Sequence, residues 1–149
     1  MENRSGFVVG ALVTHTDGTG EGAAALAILD TVPGKQPKRV GADEAYDTRD
    51  FVAACRERKV TPHVASNDTR RGGSAIDTRT TRHVWNALSQ TIRKRIEEHF
   101  GWGKTAGHIR HAVYRGLWRV DQQFKLLLTA SNILRIARIL SAAPQKVPQ

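Results

Sequence analysis

The chain has 149 residues, enough for one domain of ordinary size and too few for two. Hydrophobic residues make up 40% and charged residues 25%, so a core can form and wholesale disorder is excluded. The 23 Lys and Arg outnumber the 14 Asp and Glu to give a formal charge of +9, which points to a polyanionic partner, nucleic acid first.

A single cysteine, Cys55, rules out a disulfide framework and a cysteine-clustered zinc site, and suits a reducing cytoplasm. No stretch approaches the roughly 18 apolar residues of a membrane span. Even the most apolar segment is interrupted by Arg135 and Arg138, and the opening MENRSGF lacks the layout of a secretory signal. The charge is uneven. Residues 1–55 hold five Lys/Arg and eight Asp/Glu, a net of −3, while residues 56–149 hold 18 and six, a net of +12. A mildly acidic half precedes a basic half suited to a polyanion.

Asn3-Arg4-Ser5-Gly6 is a turn signal, and Phe7–Thr14, apolar and rich in β-branched residues, is predicted to be a strand. Asp17–Gly20 is expected to be a loop. Glu21–Leu29 is Ala-rich and predicts a short helix, stopped near Pro33-Gly34. Lys38–Ala42 predicts a brief strand running into Asp43. Thr48 is a good N-cap for a helix to about Lys59, with Phe51, Val52, Ala54 and Cys55 on its buried face. Val60–Ala65 predicts a third strand, at an edge or entry because of Pro62. The alternation of strand and helix predicts a layered α/β sheet.

Residues 66–84 read as a long mobile basic loop around Arg70-Arg71-Gly72-Gly73, and loops of that length often carry function. A helix is predicted from Asn86 to about Lys104 and a last one over roughly Leu117–Leu140. Residues 141–149 are expected to be a disordered tail.

The Asn86–Lys104 helix has two stripes. Leu88, Ile92, Ile96 and Phe100 recur every four residues and predict a core stripe. At about 100° per residue Gln90, Arg93, Glu97 and Lys104 fall within roughly 60° of one another, so a carboxylate is bracketed by two cations, with Glu98 about 100° further round. Spacing alone favours surface ion pairs on a solvated helix face.

The combination of Arg93, Glu97 and Lys104 with Gly41-Ala42-Asp43-Glu44-Ala45-Tyr46-Asp47 upstream resembles the acidic motifs of bacterial insertion-sequence transposases of the DDE type. Over residues 1–140 the wording, including DTRDFVAACRERKVTPHVA, SQTIRKRIEEHFGWGKT and YRGLWRV, is similar to the insertion-sequence-five group of these enzymes. The resemblance implies a ribonuclease H-like α/β fold, a mixed sheet flanked by helices, and DNA cleavage and strand transfer. It also implies carboxylates holding Mg²⁺ (or Mn²⁺). Asp43 matches the second Asp and Glu97 the final Glu, preferred to Glu98 because Phe100 follows at the family's spacing. Arg93 and Lys104 match residues that contact DNA phosphates. Gln90 stands where the family has Tyr, able to hydrogen-bond but not to stack, and Gly103 stands where a larger apolar residue is expected. Arg70 and Arg71 add basic contacts from the long loop.

The chemistry suits these residue types. In-line phosphoryl displacement on DNA proceeds with two metal ions roughly 3.5–4 Å apart, hard cations prefer carboxylate oxygens, and Lys and Arg neutralise phosphates. The first Asp of the resembled site has no match. Glu2, Asp17, Glu21 and Asp30, the acids upstream of Asp43, lie before a turn, in a loop and flanking a helix. The chain therefore reads as the C-terminal part of a transposase with its first strand missing. It is expected to be inactive alone, to pair with an upstream fragment, and to form a homo-oligomer when complete. The rival reading is a non-catalytic basic DNA-binding relic or a regulator of full-length transposase. A ribosomal or nucleoid-type binder fits the charge but not the acidic motifs.

The histidines at 15, 63, 83, 99, 108 and 111 lack Cys or carboxylate partners at ligand spacing, so no zinc site is expected. Trp85, Trp102 and Trp118 are expected to pack in the core, with Trp102 the one candidate for a functional role. Cys55 is expected to be inert core. The final helix is expected to pack through Leu117, Val120, Phe124, Leu127, Leu128, Ile133, Leu134 and Ala137.

Overall fold

The computed structural model describes residues 1–15, 20–34 and 38–142. Most of the expected Asp17–Gly20 loop and the tail from 143 lie outside the described residues. The chain divides into two compact units, one of Thr14–Arg95 and one combining Met1–Val13 with the chain from Ile96 onward.

The Thr14–Arg95 unit is built on two short parallel strands, β1 (Lys38–Ala42) and β2 (Val60–Val64), paired from Lys38 with Val60 to Ala42 with Val64. They are joined by α2 (Arg49–Glu57), as a parallel pair requires a crossover. The Thr48 hydroxyl caps α2 by accepting from the Phe51 N–H at 3.2 Å. Phe51, Val52 and Cys55 then fall on one face, and with Val60, Val64 and Ile76 they form the buried core. Burial pushes the Cys55 thiol up to about 11, so it stays a protonated, inert core group. Helix α1 (Gly20–Thr31) lays Ala25, Leu26 and Leu29 against this core. The Asp30 carboxylate holds Arg58 in a two-pronged ion pair at 2.9 and 3.2 Å.

Helix α4 (Val84–Arg93) covers the sheet. It comes close because Gly41 has no side chain: a Cβ there would meet the Ser89 carbonyl at 3.3 Å. Ser89 Oγ bonds the buried His63 Nδ1 at 2.7 Å, and burial, aided by Arg39 and His83, lowers the pKa of that imidazole and favours its neutral form.

The expected loop over 66–84 is more structured than its composition suggests. It contains the one-turn helix α3 (Thr78–Thr81) and is tied down by Asp47, whose fully buried carboxylate accepts from the N–H groups of Asn67, Ala75 and Ile76 at 2.8, 2.8 and 3.2 Å. Three backbone donors meet one carboxylate, so the segment is anchored despite its Gly and polar content.

In the other unit, α5 (Ile96–Thr105) packs against the 26-residue α6 (Leu117–Ala142). Helix α6 runs two residues past the expected boundary at 140. Contact between the helices is close because Gly103 is buried, and a Cβ there would sit 3.0 Å from both Ile109 Cδ1 and Leu127 Cδ2. A larger residue at 103 would require the Ile109 and Leu127 side chains to shift. Phe100 stacks on Phe124 with centroids 6.0 Å apart.

Phe7–Thr14 is expected to be a strand, yet it pairs with no strand among the described residues. Side chains of α6 satisfy part of its backbone instead: the Asn132 amide accepts from the Val8 N–H at 3.0 Å and donates to the Val8 carbonyl at 2.9 Å, copying a peptide neighbour. Asp121 accepts from the Val13 N–H at 3.1 Å. The single helix expected over Asn86–Lys104 is also corrected. It breaks at Lys94-Arg95, so the four-residue apolar stripe does not form one buried face, and Leu88 and Phe100 are both exposed. The buried positions are instead Ser89 on α4 and His99 and Gly103 on α5.

The tryptophan and final-helix expectations need correction too. Trp85 is exposed, with the Arg39 guanidinium 5.4 Å from its ring centroid, and Trp118 is exposed. On α6 only Leu127 and Leu128 among the expected apolar residues are buried, while Ile133 and Leu134 face solvent. Apolar residues surround α6 on all sides, and one helix neighbour covers only part of that surface. No helix among the described residues is long and apolar enough to cross a membrane.

Candidate functional site

In an α/β sheet the carboxyl ends of parallel strands are where ligands gather, because the strand-to-helix loops open there. The Thr14–Arg95 unit places its chemistry at that end. Strand β1 ends at Ala42, and the next residue, Asp43, is exposed and opens a 3-10 turn (Glu44–Tyr46) by accepting from the Ala45 N–H at 3.1 Å. One backbone contact uses part of its acceptor capacity and leaves the carboxylate open to solvent.

Gln90, one turn from the end of α4, closes this strand end. Its side-chain amide donates to the carbonyl of Ala42 at 3.1 Å and to that of His63, the last but one residue of β2. Its oxygen accepts from Arg93 Nε at 2.7 Å. The amide is committed to the sheet, so the group it presents outward is the Arg93 guanidinium it orients. The same-face expectation for Gln90 and Arg93 is thus realised as a direct bond within α4.

Glu97 and Lys104 belong to the other unit, in the first and last turns of α5, both exposed and, among the described residues, without an ion pair or side-chain hydrogen bond. Seven residues apart, they share one face of that helix. The break at Lys94-Arg95 divides the expected polar stripe into two pairs, and the phase argument holds within each helix only. A carboxylate at a helix N-terminus is favoured by the helix dipole, as is a Lys near the C-terminus.

Arg70 is half-buried and its guanidinium donates to the Asp47 carbonyl, while Arg71 is exposed at the turn closed by Gly73 N–H to the Arg70 carbonyl at 2.9 Å. Gly72 and Gly73 take positive φ there, a conformation natural to glycine. Asp47 is the organising residue that sequence reasoning missed. Burial would raise its pKa, but the Ser74 hydroxyl and the N–H groups of Asn67, Ala75 and Ile76 outweigh it and hold the carboxyl below its ordinary value. An Asp closing a turn was visible in the sequence, but its distant backbone donors were not.

His99 is buried on α5. It donates from Nε2 to the Gly6 carbonyl at 2.9 Å and pairs Nδ1 with Ser131 Oγ at 2.8 Å, which gives it a structural task. A divalent ion needs several converging ligands, and among the described residues no three His, Cys, Asp or Glu converge. Asp47 is consumed by backbone donors, so Asp43 is the open carboxylate at the strand end. Among the described residues, this donor set is too small to hold a metal pair by itself.

Residues 1–133 match the family model described as Transposase DDE domain. No curated protein and no solved structure matches the chain. With most of its length matched, the chain belongs to the DDE transposase domain family.

Proposed function

We propose that the chain is the C-terminal part of the ribonuclease H-like catalytic domain, over residues 1–140, of a bacterial insertion-sequence transposase of the insertion-sequence-five group. In this reading it acts on DNA in the cytoplasm. The observation that carries the reading is the family match over residues 1–133. The open Asp43 carboxylate at the end of β1, beside a Gln90 that orients Arg93, supports it.

Members of this family generally use divalent metal. Mg²⁺, with Mn²⁺ as substitute, is the ion proposed for the intact site, and Asp43 and Glu97 are its proposed carboxylates. Phosphoryl transfer asks the protein for positioning and charge neutralisation. Arg93 is held for a phosphate by Gln90, Lys104 and Arg71 are free to meet others, and Arg70 serves from its anchored loop. The basic half supplies sequence-independent affinity for the DNA backbone.

Two carboxylates hold one metal ion weakly and a pair poorly, so the isolated chain is proposed to bind DNA without cutting it. The intact site is proposed to need an upstream transposase fragment, and the complete enzyme to be a homo-oligomer. The same donor set favours a second reading, a DNA-binding regulator that competes with full-length transposase. The test is nicking of supercoiled plasmid by the purified chain in Mg²⁺ or Mn²⁺. The expected result is binding without nicking, and nicking lost in Asp43→Ala would overturn the claim of inactivity. Inhibition of an intact transposase by the added chain would select the regulatory reading.

A further inference from the structure

The unit containing α5 and α6 has a cleft that the proposed catalytic residues do not use. It is lined by Glu98, His99 and Trp102 of α5 and by Ser131, Leu134, Arg135 and Arg138 of α6. The spacings explain it: 98, 99 and 102 fall on one stripe of α5, and 131, 134, 135 and 138 on one stripe of α6, so two helix faces meet across it.

The cleft is built rather than incidental. The floor is fixed by the buried His99, bonded to Ser131 and to the Gly6 carbonyl. Arg135 is held by donating Nε to the Ser5 carbonyl, and its Nη1 lies 3.8 Å from Glu98. Gly6, at φ 74°, gives it room, since a Cβ there would lie 2.7 Å from Arg135 Nη2. Arg138, one turn on, is exposed and has no hydrogen bond or ion pair among the described residues. Two guanidinium groups against one exposed carboxylate leave the cleft net positive, and the half-buried Trp102 supplies an aromatic wall.

We propose that this cleft takes one nucleotide of an unpaired DNA strand, its phosphate on Arg138 and Arg135 and its base against Trp102. Guanidinium groups match phosphate oxygens, and an indole face stacks on any base, so the site is sequence-tolerant. The inference rests on the DNA-binding reading and names a subsite for it.

The test compares a blunt duplex with the same duplex extended by a three-nucleotide single-stranded overhang carrying 2-aminopurine. The chain is expected to bind the overhang roughly ten-fold more tightly and to quench 2-aminopurine. Trp102→Ala removes the quench and the gain while blunt-duplex affinity stays within about two-fold, Trp102→Phe keeps most of both, and Arg138→Ala, at an exposed position, loses most of the gain. Equal affinity for the two DNAs, or a quench that survives Trp102→Ala, overturns the proposal while the DNA reading stands. Absence of binding to either DNA overturns both. Displacement of the overhang by micromolar free deoxynucleoside monophosphate would reassign the cleft and overturn the strand assignment.

Discussion

The Gln90 side-chain oxygen accepts a 2.7 Å hydrogen bond from Nε of Arg93, while its amide nitrogen holds the Ala42 carbonyl at 3.1 Å. One residue thus ties the end of β1, where Asp43 begins, to the cation nearest it on α4.

Removing that tie separates structure from binding. Gln90→Ala is expected to lower the unfolding free energy by about 1–2 kcal/mol, from hydrogen bonds lost at a half-buried site, and also to weaken DNA binding. Arg93→Ala is expected to leave stability within about 0.5 kcal/mol and to reduce the slope of log affinity against log salt by about 1. Urea denaturation and a salt titration of DNA binding check the two arms.

Asp47 gives the fold its acid sensitivity. Its folded pKa is held below the ordinary carboxylate value, so its stabilisation is complete above the unfolded value, about 4, and is lost as pH falls through the lower folded one. Asp47→Asn is expected to flatten that part of the stability–pH curve. Asp47→Ala, which strands three backbone donors, is expected to cost about 2–4 kcal/mol at neutral pH. Denaturant titrations between pH 3 and 7 read both effects.

Several elements were legible because their signals are local. Thr48 capping the helix opened by Arg49, and the strands at Lys38–Ala42 and Val60–Val64, follow from residues within one turn or one strand. The break at Lys94-Arg95 was not legible, since no Gly or Pro marks it and the residues on both sides favour helix. Nor was the fate of Phe7–Thr14: β-branched composition states a preference, but a strand needs a partner, and here Asn132, more than a hundred residues away, takes that place at Val8. In the site, the residue types and the Gln90–Arg93 spacing were readable. The engagement of Gln90 with two strand carbonyls, and the α6 stripe facing Trp102, depend on tertiary packing.

Gly107, in the turn after α5, is expected to be intolerant of a side chain. A Cβ on Gly107 would lie 2.0 Å from Leu127 Cδ1, so Gly107→Ala should cost about 1–3 kcal/mol by overpacking. Adding Leu127→Val should recover part of that loss, and thermal melts of the single and double variants would show it.

Lys59 ends α2 in the left-handed region at φ 56°, a conformation glycine adopts without strain. Lys59→Gly is therefore expected to raise stability by about 0.5–1 kcal/mol with DNA binding little changed. Denaturant midpoints at constant slope provide the check.

The most direct test of the central claim is fluorescence anisotropy of a labelled duplex titrated with the purified chain across a salt series. Binding is expected to weaken steeply and log-linearly with salt, with Arg93→Ala and Lys104→Ala each lowering the slope by about 1. Absence of binding at low salt, or a slope unmoved by both substitutions, would contradict that claim.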